Sequence, residues 1–123
     1  MFKRALGILC LAASALASAQ TPSAFLGTWT VTWDGGKRPQ QARLVITESG
    51  GTWKQAASTK LDPCLGREVP VSLEGVDGDA ATIHLKFSEA LPGCTDVKIK
   101  VRKLNDKALA GTRGQAEVAF ARE

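Results

Sequence analysis

The stretch Thr28-Trp29-Thr30-Val31-Thr32-Trp33-Asp34-Gly35-Gly36 decides the fold class. Trp29, Val31 and Trp33 alternate with three threonines, so large apolar side chains recur with a period of two. That is the repeat of a strand with one face on a core and the other in water. Helical geometry would instead turn Val31 away from the two tryptophans. Asp34-Gly35-Gly36 then ends the run with residues suited to a turn.

The same alternation continues along the chain in Val69-x-Val71-x-Leu73, Ile83-x-Leu85-x-Phe87 and Val97-x-Ile99-x-Val101. Counting such segments gives eight candidate strands, near 28–34, 43–49, 52–58, 67–74, 81–88, 96–103, 107–113 and 116–122. Between them lie turn-forming runs such as Gly50-Gly51, Asp77-Gly78-Asp79, Pro92-Gly93 and Asn105-Asp106. Pro70 falls inside the fourth segment and predicts a bulge or an interrupted ladder there. Eight short strands joined by short turns, with no crossover helix, predict an all-β protein. The expected form is an eight-stranded antiparallel up-and-down barrel, whose last strand pairs with the first and hides both edges. A β-sandwich is the alternative arrangement.

The chain has 123 residues, 44% apolar and 23% charged, as expected of one globular domain. Its net charge of +4 is not spread evenly. Residues 1–19 read as a secretory signal peptide: Lys3 and Arg4, an apolar run from Ala5 to Ala17, then Ala17-Ser18-Ala19 as a small-x-small cleavage site. That run is too short to predict a transmembrane segment. Residues 20–123 form the single barrel domain, 104 residues with 14 Lys and Arg against 12 Asp and Glu, hence +2. A secreted or periplasmic location follows. Cys10 leaves with the signal, and Cys64 and Cys94 remain as an even pair, which in an exported chain predicts a disulfide. A redox or metal pair is the competing reading, but Cys-x-x-Cys spacing is missing.

Alternating strand directions give the barrel two ends. The first strand enters at Thr28, which defines the floor, and the eighth ends there at Arg122. Parity puts Val118, Phe120 and Arg122 on the inward face, so the Arg122 guanidinium is expected over the Trp29 indole, a favourable cation–π contact that plugs the floor. Phe25-Leu26-Gly27-Thr28-Trp29 resembles the Gly-x-Trp opening of the lipocalin and avidin barrels, the calycins, and a basic residue of the last strand covering that tryptophan belongs to the same resemblance. The resemblance implies a closed barrel. The chain is shorter than a lipocalin, and Asp34-Gly35-Gly36-Lys37 does not match the segment with which avidins begin their biotin site.

The other end holds the longest connections, 35–42, 59–66 and 89–95, and both Cys64 and Cys94. Loops held by a rigid scaffold are where binding residues concentrate. Trp33 at the upper end of the first strand, with Lys37, Arg38, Asp62 and Arg67 on nearby loops, forms the candidate ligand or partner site. A second candidate is the outer face of strands five and six. Pairing them through the 89–95 loop sets Lys86 opposite Lys98, His84 opposite Lys100 and Thr82 opposite Arg102. Like charges facing one another cost stability unless an anionic partner or the nearby Glu68 and Glu74 offset them.

Catalytic signatures are missing. The chain has no Gly-x-Ser-x-Gly turn, no His-Glu-x-x-His and no phosphate-cradling glycine loop. His84, the only histidine, has outward parity and reads as a solvated strand residue, and Asp77-Gly78-Asp79 reads as a turn rather than a calcium loop. No cofactor, no metal and no nucleic-acid partner is expected, since the basic face carries no interleaved aromatic. The expectation is a monomeric, non-catalytic binding or inhibitor module for an unknown protein or small ligand, acting through the loops at one barrel end. The alternative is a carrier of a small apolar ligand inside the barrel. Trp29, Trp33, Trp53, Phe87 and Phe120 all have inward parity, which points to a filled interior.

Overall fold

The structure is a computed structural model that describes residues 22–35, 38–56 and 62–123. The candidate signal segment and Lys37 lie outside the described residues. Eight strands close on themselves in sequence order: β1 (Gly27–Asp34), β2 (Pro39–Thr47), β3 (Gly50–Gln55), β4 (Val69–Asp77), β5 (Ala80–Leu85), β6 (Val97–Asn105), β7 (Ala108–Arg113) and β8 (Ala116–Arg122). All neighbours are antiparallel, and β8 returns to β1 with Trp29 opposite Arg122 and Val31 opposite Phe120. The chain is thus an up-and-down barrel and not a sandwich.

Strand parity fills the interior. Trp29 and Val31 of β1, Leu44 of β2, Trp53 of β3, Ile83 of β5 and Phe120 of β8 are each at most 2% exposed. Burying side chains of this size stabilises by about 1.5–3 kcal/mol apiece against leaving them in water. Packing is tight enough to dictate a glycine. A Cβ at Gly111 would meet the Lys100 carbonyl at 2.9 Å and the Val101 and Ile99 side chains at 3.0 and 3.1 Å. The two grooves described on the molecule both lie on its outer wall.

The seam between β3 and β4 is the shortest, with only Thr52–Pro70 and Trp53–Val69 in register. Proline has no N–H to contribute to a ladder, which accounts for the interruption expected at Pro70. The bulge in β4 comes later, between Glu74 and Asp77, and a second irregularity lies between Lys103 and Asn105 of β6.

Two strand bounds need correction. β2 begins at Pro39, so the connection expected over 35–42 is shorter than the other two upper ones. β5 stops at Leu85 instead of running to residue 88, because Phe87–Ala90 makes a single helical turn, α1. Phe87 still buries its ring, but from the helical turn. Pairing across the 86–96 connection therefore sits two residues lower than expected: Leu85 faces Val97, His84 faces Lys98, Thr82 faces Lys100 and Ala80 faces Arg102. A shift of two leaves every side chain on its expected face and changes every cross-strand partner.

The floor matches its sequence reading in detail. The Arg122 Cζ lies 4.2 Å from the Trp29 ring centroid. Its Nε donates to the Asp106 carbonyl at 2.8 Å, Nη1 to the Leu26 carbonyl at 2.6 Å and Nη2 to the Ala24 carbonyl at 3.2 Å. Trp29 Nε1 donates to the Phe25 carbonyl at 3.0 Å. Gly27 has φ of 127°, and a Cβ there would fall 2.5 Å from Arg122 Nη1. The glycine of Gly-x-Trp is therefore the space in which the guanidinium lies.

Candidate functional site

At the upper end, Cys64 and Cys94 are disulfide-bonded, with Cα atoms 5.8 Å apart. The bridge ties the β3–β4 connection to the chain that leaves α1, across a seam with few ladder pairs. Trp33 is only partly buried and stacks on Trp53, with ring centroids 5.7 Å apart and planes inclined by 27°. One polar atom of this pair, and one two residues further along β3, have no partner among the described residues. Trp53 Nε1 and Gln55 Oε1 are buried and make no hydrogen bond. Leaving a donor or acceptor in this state costs about 1–3 kcal/mol.

The other upper residues are placed by their own loops. Asp62 Oδ1 accepts the Cys64 N–H at 2.9 Å, so this carboxylate shapes the turn into the disulfide. Arg67 Nε donates to the Pro63 carbonyl at 2.9 Å and its side chain is exposed. Arg38 is exposed, and its carbonyl accepts the Gly35 N–H to close the β1–β2 turn. Trp33 and Arg38 thus stand on the β1–β2 side of the mouth, and Asp62 and Arg67 on the β3–β4 connection.

The basic outer face divides in two. Lys98 Nζ lies 3.5 Å from Glu74 Oε1, and Lys86 Nζ 4.0 Å from Glu89 Oε2. Glu74 also reaches His84, whose Nδ1 is 2.8 Å from Glu74 Oε2 and whose Nε2 is 2.9 Å from Asp96 Oδ2. His84 is consequently not a solvated residue; its side chain is 18% exposed and is held between two carboxylates. With a proton on each nitrogen the ring donates to both. The His84 hydrogen bond holds the Glu74 carboxyl below its ordinary range, with Lys98 acting in the same direction. Asp96 is lowered to about 2, chiefly because its carboxylate accepts hydrogen bonds from Ser88, with His84 adding to the effect. The backbone N–H of Ser88 bonds Asp96 Oδ1 at 2.8 Å, so this network also anchors α1. Neither ring nitrogen is free to act on a nucleophile in this arrangement.

Lys100 and Arg102 differ from their neighbours. Both are exposed on β6, and neither makes an ion pair among the described residues. They border a groove on the outer wall of β6, β7, β8 and β1.

Sequence reasoning missed Gln55 and Asp96, and named Glu74 as a counter-charge to the basic face but not as a partner of His84. A signal existed for Gln55, a polar residue two positions from Trp53 on the same inward face. For Asp96 there was none, because its role depends on where α1 folds back. Among the described residues, no group of three or more His, Cys, Asp or Glu side chains is arranged to hold a metal ion. No described helix is long and apolar enough to cross a membrane. Comparison with protein-family models, with curated proteins and with solved structures found no match.

Proposed function

We propose that the chain is an exported, non-catalytic binding or inhibitor module with calycin-like architecture, which engages a protein or small ligand through the loops at its disulfide-tied end. The observation that carries this reading is the pair of buried polar atoms without partners among the described residues, Trp53 Nε1 in the Trp33–Trp53 stack and Gln55 Oε1 nearer the upper end of β3, at the end where a covalent tie joins two connections. A partner that brings an acceptor to Trp53 Nε1 or a donor to Gln55 Oε1 would relieve that cost, while Trp33, Arg38 and Arg67 offer an aromatic and two cations of the kind that anchor interfaces. The calycin resemblance is supported by Gly27, Trp29 and Arg122 acting together at the floor. The packed interior favours this reading over a carrier with its ligand inside the barrel.

Affinity capture from the native exported fraction, with the oxidised protein as bait, tests it. A partner held by the wild type, lost with the Arg38→Glu/Arg67→Glu variant and retained by Lys100→Glu/Arg102→Glu would support the upper end. Equal capture by all three baits, or capture by none, would refute it. Comparing Trp33→Ala with Arg38→Glu separates the alternative: a barrel carrier is impaired more by the first, and a binder acting through the loops more by the second.

A further inference from the structure

The outer wall of β6, β7, β8 and β1 should be inert if the barrel interacts only through its upper end, but its side chains are unusual. Outward positions along β7 and β8 are alanines, paired across the strands as Ala108 with Ala121 and Ala110 with Ala119. The same rows continue onto Thr30 and Thr32 of β1. Longer side chains rise on both sides: Lys100, Arg102 and Leu104 on β6, and Gln41 and Arg43 on β2, opposite Thr32 and Thr30. The result is a trough of about 930 Å³ with a floor of methyl groups. Leu104, 60% exposed, is the one large hydrophobic side chain left in water among the described residues, and it stands on the rim.

Charge is distributed unevenly around this trough. Arg43 is matched by Glu123, at 3.3 Å. Lys100 and Arg102 on the opposite rim have no carboxylate partner among the described residues, although Lys98, two positions earlier on the same strand, has one. Glu117 is the one carboxylate on the lining; it shares the Lys100–Thr112 row, two strands from Lys100, and makes no ion pair with it among the described residues. From the Thr112–Lys100 row to Ala108 the floor runs four residues, about 13 Å at the strand rise. An apolar floor of that length, with Lys100 at one end, Arg102 reaching over it from the next row opposite Ala110, and Leu104 toward the other end, complements one kind of molecule.

The geometry points to a second, externally placed site for a single-chain anionic amphiphile, an alkyl carboxylate or alkyl phosphate of about ten to twelve carbons. Its head group lies against Lys100 and Arg102, and its chain runs along Ala110 and Ala119 to Ala108, Ala121 and Leu104. Burying the chain removes its apolar surface and that of the alanines and Leu104 from water. The two cations gain the ion-pair partner that they lack among the described residues. The ligand therefore sits on the outside of the wall, and the packed interior is no obstacle to it.

Dodecanoate and dodecyl phosphate, each below its micelle concentration, are titrated into the oxidised protein as isolated, with alanine methyl groups labelled for NMR. Saturable shifts confined to Ala108, Ala110, Ala119 and Ala121 are expected. Dodecyltrimethylammonium and dodecyl maltoside should bind at least tenfold more weakly, and Lys100→Glu/Arg102→Glu should weaken dodecanoate by at least tenfold. Ala119→Phe should abolish the shifts at the other three alanines; both sets of substitutions are at exposed positions, and unchanged thermal unfolding confirms that the variants are folded. Equal binding of the cationic and anionic amphiphiles, or no shift at these methyls, would overturn the proposal. So would binding to anionic phospholipid vesicles without binding to free dodecanoate, which would make the wall a membrane-docking surface. Because Arg38 and Arg67 are untouched, failure here leaves the upper-end reading standing, and the converse holds.

Discussion

Two tryptophans close the two ends of this barrel, and their surroundings are opposite. At the floor, Trp29 donates its N–H to Phe25, and Arg122 lies over its ring while satisfying three carbonyls. At the mouth, among the described residues, Trp53 has no acceptor for its N–H and Gln55 no donor for its carbonyl, and the stacked Trp33 stays partly exposed. The same chemistry is complete at one end and incomplete at the other. Completed hydrogen bonding serves stability, whereas buried groups left unmet at an accessible end are a standing cost that binding would relieve.

Substitutions can break this comparison. The largest effect belongs to the floor: Trp29→Ala should lose about 3–5 kcal/mol in urea unfolding, from the lost packing of a buried aromatic. A loss below about 1 kcal/mol would mean that the floor does not hold the barrel together. Next comes the covalent tie at the mouth. Replacing Cys64 and Cys94 by serine should cost about 3–4 kcal/mol through loop-closure entropy, read as a lower Tm. Two free thiols in the unreduced, alkylated protein by mass spectrometry would remove that tie from the account.

A pH titration sharpens the contrast between the mouth and the wall beside it. Asp96 and Glu74 have folded pKa values below their unfolded ones, so their contribution is present above about pH 4 and is lost as pH falls toward the folded value, about 2 for Asp96. Stability should therefore fall between about pH 4 and 2, and Asp96→Asn should flatten that fall. An unchanged acid limb in Asp96→Asn would show that the clamp on α1 contributes nothing.

Parity along each strand made the faces legible before any register was known. It placed Arg122 over Trp29, both cysteines at one end, and Lys98, Lys100 and Arg102 on one outer row. Register was less accessible, because it depends on where a strand leaves its ladder. Phe87 has ideal parity to continue β5, but the Asp96 carboxylate captures the Ser88 N–H and the chain turns into α1 instead. That long-range contact moved Lys98 opposite His84 and separated Lys86 from the basic row. The alanines at outward positions of β7 and β8 were visible as small residues, but only closure of β8 onto β1 sets them beside Thr30 and Thr32 as one trough.

The smallest expected effect is also the most direct test of the contrast between the ends. Gln55→Leu replaces a buried amide whose carbonyl is unmet by an apolar side chain of similar size, while Arg122→Leu removes a guanidinium that donates to three carbonyls. Urea unfolding of the two variants beside the wild type should show Arg122→Leu losing about 3 kcal/mol. Gln55→Leu should stay within about 1 kcal/mol of the wild type or exceed it. A loss in Gln55→Leu as large as that in Arg122→Leu would contradict the account, because the mouth would then be held together in the same way as the floor.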